Sequence, residues 1–271
     1  MMKTKTLVIL NTISLAVLLI ISSLAQQEWF SDLNVGEVSD KYETVFAPAS
    51  ITFAIWGLIY ASLVAFCIYH IVKAFNADDT EQADMDIKAI GWLFIINTLA
   101  TAAWLIAWVN EQIALSVLLI LIQLISLIMI SVRAHIANPD RSLSTKIFTQ
   151  FPLSIYFAWI CVATIANISA LLVSVEWDGF GISAIYWTII SIGLTTLLSL
   201  FIIIVRRNFF FGLVILWALY GIALKRQQVD EVLYQEIINA AWAAFIIVVV
   251  TLLIRVLRAN KFKSHPITSP D

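Results

Sequence analysis

Charge is what this sequence has least of. Only 13% of its 271 residues are Asp, Glu, Lys or Arg, against roughly 25% in an ordinary soluble domain. The deficit is concentrated in long runs such as Ile113 to Val132 and Ile182 to Val205. A run of about 20 apolar residues, rising about 1.5 Å each, matches a hydrocarbon core about 30 Å thick. That excludes a soluble enzyme domain. The two-residue alternation of barrel strands is also missing, so the spans are helices. Net charge is −2, and no basic surface invites nucleic acid.

Other absences narrow the chemistry. The three histidines, His70, His135 and His265, are scattered, and none has a Cys or carboxylate at ligand spacing. His70 and His135 lie near the inner ends of their spans. They read as interfacial polar residues, with a haem-ligating pair as the alternative. The two cysteines, Cys67 and Cys161, lack CxxC spacing and read as buried free thiols acting as small apolar residues. No P-loop, GxSxG or glycine-rich phosphate cradle is present. No charged residue sits in the centre of any span, which argues against an ion-coupled pump. Glycine and proline do not break spans in matched halves, as they often do in inverted-repeat transporters.

What is present is a set of eight spans: 7–25, 49–72, 89–109, 112–132, 150–173, 182–204, 209–224 and 235–255. The seventh is the shortest. The first, after Lys3 and Lys5, resembles a signal peptide but reads as a retained helix. Basic residues set orientation, because Lys and Arg stay on the cytoplasmic side. With the N-terminus inside, the inner side holds Lys3, Lys5, Lys73, Lys88, Arg133, Arg141, Lys146, Arg206, Arg207, Arg255, Arg258, Lys261 and Lys263. The outer side holds only Lys41, Lys225 and Arg226. This bias predicts an integral protein of the cell (inner) membrane with both termini cytoplasmic.

The outer loop 26–48 is long and acidic, with Glu28, Asp32, Glu37, Asp40 and Glu43 against Lys41. The inner loop 73–88, with Asp78, Asp79, Glu81, Asp84 and Asp86, reads as a solvated connector. Loop 133–149 holds the turn signal Asn138-Pro139-Asp140.

Aromatic and small polar residues form stripes on three helices. Phe53, Trp56 and Tyr60 cover about 60° of arc, as do Asn97, Thr101, Trp104 and Trp108. Tyr156, Trp159, Ala163 and Asn167 cover about 80°. Unpaired amides in hydrocarbon cost several kcal/mol, so these stripes face the bundle interior. Counted along their spans, Trp56, Trp104 and Asn167 lie about 8–10 Å beneath the outer boundary. That predicts one aromatic layer under loop 26–48. Helix packing and a ligand cavity are both compatible with it. Trp29, Trp92, Trp177 and Trp187 read as interfacial belt residues.

The segment Phe46-Ala-Pro-Ala-Ser-Ile-Thr-Phe-Ala-Ile-Trp-Gly-Leu-Ile-Tyr60 resembles the second-helix entrance of the tryptophan-rich sensory protein family, the TspO/MBR or translocator-protein group. Trp56 and Tyr60 match its Trp-x-x-x-Tyr, and Pro48 its loop proline. Trp159, Ala163 and Asn167 match its Trp-x-x-x-Ala-x-x-x-Asn, with Tyr156 upstream. Thr101 and Trp104 match its Asn-x-x-Trp in part, with Thr101 in place of Asn. Ser50 stands where the family usually has Trp.

The resemblance covers residues 7–173. It implies an all-α polytopic membrane bundle with a TspO-like five-helix core in residues 1–180. Three helices in 181–258 would be an extension, and 259–271 a disordered tail. It also implies that the protein is not an enzyme but a sensor or binding protein for a flat hydrophobic molecule, porphyrin-like, tetrapyrrole or sterol-like, in a cavity capped by the first long loop. The implied site comprises Pro48, Phe53, Trp56, Tyr60, Thr101, Trp104, Tyr156, Trp159, Ala163 and Asn167. No cofactor is required, with a bound porphyrin or haem as the candidate occupant. The implied partners are a hydrophobic small-molecule ligand, the lipid bilayer and a second copy of the chain in a homodimer. A small-molecule transporter is the alternative, and a membrane enzyme acting on a lipid or pigment the third reading.

Overall fold

In a computed structural model, residues 4–42, 44–76 and 81–263 are described, with side chains through Arg258. Glu43, Asp78, Asp79 and His265 lie outside these residues, as do Lys3 and the side chains of Lys261 and Lys263. The described residues are helices joined by short turns. In order they are α1 (Thr4–Gln26), α2 (Val35–Lys41), α3 (Ile55–Phe75), α4 (Glu81–Ile90), α5 (Leu93–Val109), α6 (Ile113–Arg133), α7 (Leu143–Thr145), α8 (Phe151–Ser174), α9 (Ala184–Ile204), α10 (Phe209–Asp230) and α11 (Gln235–Lys263). A 3-10 turn at Ser50–Ala54 leads into α3, and a π-helical turn at Lys146–Gln150 leads into α8.

Seven helical units are long and apolar enough to cross a membrane, and the bent pair α4–α5 makes an eighth. The polytopic helical bundle expected from the sequence is therefore the fold. α8 is its centre, packing on α6 and α3 on one side and on α10 on the other. Most of its residues are buried accordingly, including Tyr156 and Trp159. α1 packs against α3 and α5, so the first helix belongs to the bundle. Lipid-facing residues are large and apolar, as on α9, where Leu194, Leu197 and Phe201 are exposed.

Three expectations need correction. The third span is not one helix over 89–109. It bends by 52° between α4 and α5, where Gly91 takes a left-handed φ of 54° that glycine adopts without a Cβ penalty. Nor is the second half of the loop 73–88 a solvated connector. Ala83, Ile87 and Ile90 give α4 a buried stripe, and Asp86 pairs with Arg141 at 3.2 Å. Finally, the seventh span does not stop at 224: α10 continues to Asp230. Lys225 and Arg226 lie inside it, because their long stems carry the charge to partners. Lys225 pairs with Asp40, and Arg226 lies over the Tyr234 ring at 4.8 Å. The turn at Asn138 forms as expected, its side chain accepting from the Asp140 amide at 2.9 Å.

Candidate functional site: a roofed aromatic cavity

The cavity begins with the approach to α3. Pro48 fixes the chain entering the 3-10 turn, and that turn sets Phe53 before Trp56 on α3. Trp56 then becomes the hub of a ring cluster. Its centroid lies 5.3 Å from Tyr60, 6.5 Å from Trp104, 6.1 Å from Tyr156 and 6.4 Å from Trp159. Trp104 stacks on Trp108 at 5.7 Å, and Phe53 meets the edge of Trp159 at 5.9 Å. Stacked and edge-to-face aromatic pairs each contribute about 0.5–1.5 kcal/mol beyond buried area. Four indoles from α3, α5 and α8 thus share one layer.

Polar atoms fix that layer. The Trp104 indole donates to Asn167 Oδ1 at 2.8 Å, and Asn167 Nδ2 donates to Ser116 Oγ on α6 at 2.8 Å. This chain ties α5, α6 and α8 together beneath the roof, each bond adding about 0.6 kcal/mol by membrane-protein precedent. One layer deeper, Thr101 Oγ1 lies 2.6 Å from the Tyr156 hydroxyl and donates to Asn97 O at 2.8 Å. Asn97 in turn donates to Ser126 Oγ at 2.8 Å.

A cavity of about 40 Å³ remains inside the cluster. Among the expected residues, Pro48, Phe53, Trp56, Trp104, Trp159, Ala163 and Asn167 line it. Tyr60 does not; it faces a neighbouring cavity of about 240 Å³ across Phe53 and Trp56. Thr101 and Tyr156 form the hydrogen-bonded layer underneath and line neither. Asn167 is at the wall, but both ends of its amide are committed. The wall also carries Trp159, whose Nε1 is buried with no partner among the described residues, and the hydroxyl side chains of Ser39 and Thr44.

Several contributors escaped the sequence reading. Val35, Ser39 and Thr44 close the cavity from loop 26–48, and Val162, Ala166 and Ala170 extend the α8 wall. The α8 residues were legible in principle, since Ala163, Ala166, Asn167 and Ala170 repeat at i, i+3, i+4, i+7. Ser116 gave no signal, being one serine in an apolar run.

The roof is built and tied. α2 starts with a capping box in which Asn34 accepts from Glu37 N and Glu37 accepts from Asn34 N. Trp108 Nε1 donates to Val35 O at 3.1 Å. At the α5–α6 turn, Glu111 pairs with Lys41 at 2.6 Å and accepts from the Tyr42 hydroxyl at 3.0 Å. The Lys41 ammonium holds the Glu111 carboxyl below its usual range, and hydrogen bonding to Glu111 holds Lys41 above its own. Burial and the same carboxylate push Tyr42 upward.

α10 holds the other edge. Ala49 N donates to Gly221 O at 2.9 Å, and Trp217 Nε1 donates to Thr52 O at 2.9 Å. Gly221 is required here, because a Cβ would overlap the Thr52 side chain. With the Asp40–Lys225 pair, these contacts cross the boundary at residue 180 between the expected core and its extension.

His70 and His135 lie elsewhere. His70 is buried near Phe66 and Tyr69, its Nε2 3.0 Å from Thr149 Oγ1. His135 is exposed just past α6. Cys67 and Cys161 are free and buried.

A multi-span helical bundle whose first long loop roofs a layer of indoles is the class these features define: an integral membrane protein of the tryptophan-rich type. The chain belongs to the TSPO-like protein family, whose model matches residues 8–254. The match therefore runs past Val173, across α9 and α10 and into α11. No curated protein and no solved structure matches the chain.

Proposed function

We propose that this protein is a membrane sensor or binding protein for a flat hydrophobic small molecule, porphyrin-like, tetrapyrrole or sterol-like, taken up in the cavity under loop 26–48. The observation that carries this reading is the ring cluster itself, in which Phe53 and Trp56 form a thin partition between two cavities. As it stands the inner cavity holds only a few waters' volume, far below the roughly 300–1,000 Å³ of a ligand site. Swinging Phe53 and Trp56 aside merges it with its neighbour of about 240 Å³. A flat ligand then enters beside the turned Trp56 indole and stacks against it within the ring cluster. The unpartnered Trp159 Nε1 supplies a donor for a polar edge of the ligand.

Binding without turnover fits a wall of indoles, alanines and one committed amide. A transporter is the second reading, favoured by the two cavities meeting at a movable partition. Proteoliposomes loaded with protoporphyrin separate the two. A sensor binds the porphyrin saturably and leaves its efflux at the protein-free rate. Efflux that rises with protein density would establish the transporter, and absence of saturable binding to any tetrapyrrole or sterol would refute the ligand class.

A further inference from the structure

At the end of the bundle opposite loop 26–48, which the basic bias predicts to be cytoplasmic, lies another open cavity of about 510 Å³. It sits where the α6–α8 connection, the α9–α10 turn and α11 converge. Three cations line it: Lys146, Arg207 and Arg255. They come from three separate parts of the chain, and none forms an ion pair with a carboxylate of the described residues. Arg141, in the same α6–α8 connection, is by contrast paired with Asp86 at 3.2 Å.

The rest of the wall is mostly apolar, with Asn138, Gln150, Ser154 and Asn208 as its polar members. Phe151 and Phe210 meet edge to face at 5.0 Å, while Leu143 and Ile147 are exposed. The frame is rigid. Asn208, buried, donates to Ser154 Oγ at 2.9 Å and caps α10 by accepting from Phe211 N at 3.1 Å. Gln150, also buried, donates to Asn138 O at 3.0 Å. Arg207 holds a left-handed φ of 59° just past the end of α9, as other non-glycine residues do at helix ends of this protein.

We infer that this cavity binds the headgroup of an anionic glycerophospholipid from the inner leaflet. A basic pocket between transmembrane helices on the cytoplasmic side is the known chemistry for such headgroups. Arg207 and Arg255 grip the phosphate through forked N–H donors, Lys146 adds a point charge, and the phenylalanine wall takes the start of an acyl chain. The apolar wall selects a lipid over a soluble phosphate. The inference is independent of what the outer cavity binds.

The test uses the full-length protein in detergent, with phosphatidylglycerol, phosphatidylcholine and glycerol phosphate as probes in native mass spectrometry. Phosphatidylglycerol should be retained at least tenfold more than phosphatidylcholine, and glycerol phosphate should not compete. Arg207→Gly with Arg255→Gln should weaken phosphatidylglycerol retention on the order of tenfold or more. Glycine suits the backbone at 207, and Arg207→Gly alone, expected to lose about fivefold, remains as the variant whose folding is least at risk. Lys5→Gln with Lys88→Gln removes the same charge from α1 and α4 and should leave retention unchanged. Equal loss in the two double variants, no loss in Arg207→Gly, or displacement by glycerol phosphate would each overturn the assignment.

Discussion

The two ends of the bundle differ in how completely their cations are paired. At the end roofed by loop 26–48, Lys41 is engaged with Glu111, Lys225 with Asp40 and Arg226 with the Tyr234 ring. Those contacts hold a roof over rings. At the opposite end Lys146, Arg207 and Arg255 line an open cavity and form no ion pair with a carboxylate of the described residues. The same side-chain chemistry thus closes one end and leaves the other available to lipid. The difference locates where each end can change: the outer cavity opens only if its ties are released, whereas the inner one needs no rearrangement.

That contrast breaks most readily at Gly221. Gly221→Ala drives a Cβ into Thr52 and against Pro48. Overpacking of this kind costs typically 1–3 kcal/mol, and the backbone bond from Ala49 to Gly221 is lost with it. Thermal unfolding in detergent should fall clearly, and hydrogen exchange at 44–54 should rise while the inner end stays protected. Unchanged exchange there would mean that α10 does not hold the roof.

Trp104→Leu comes next. It removes two stacked contacts and strands Asn167 Oδ1, a buried acceptor whose desolvation costs about 1–3 kcal/mol. Stability and ligand affinity should both drop. Trp104→Leu combined with Asn167→Leu should recover part of the stability loss without recovering affinity. A double variant as unstable as the sum of the singles would show that the indole–amide bond is not the reason.

The smallest effect is expected at the Lys41–Glu111 tie, an exposed pair of the kind that contributes little to global stability. Its role is to keep the roof down. Because Glu111 titrates below the ordinary glutamate range, its contribution is present at neutral pH and is lost as pH falls through that lowered value. Lys41 and Tyr42, both raised, carry the tie through mildly alkaline pH. Ligand entry rates should therefore be flat from about pH 5 to pH 9 and rise only in stronger acid. Glu111→Gln should show the fast rate at all pH values; if it shows the wild-type rate throughout, the tie does not gate entry.

Much of this was legible in the sequence. The spans follow from the apolar runs, and the meeting of Trp56, Trp104 and Asn167 follows from depth counting, because helical rise is constant. What was hidden has physical reasons. The break at Gly91 depends on one residue's φ within an apolar run that reads as continuous. α10's grip on the roof uses backbone atoms of Ala49, Thr52 and Gly221, and no side-chain pattern reports a backbone bond. Asn167 was visible as an interior amide, but its partner Ser116 was indistinguishable from any other helical serine. The loop residues Val35, Ser39 and Thr44 lie in an aperiodic segment, where spacing carries no information.

The most direct measurement is tryptophan quenching by protoporphyrin, titrated into the wild type, Trp56→Leu and Trp92→Leu. Trp56 is the hub of the ring layer, and Trp92 lies exposed at the far end of the same bundle. If the layer is the binding site, Trp92→Leu should bind like the wild type, and Trp56→Leu two- to tenfold more weakly, the equivalent of one lost aromatic contact. Equal affinity in all three proteins, with only thermal stability lowered in Trp56→Leu, would mean that the indoles are packing and that the roofed cavity is not where the ligand sits.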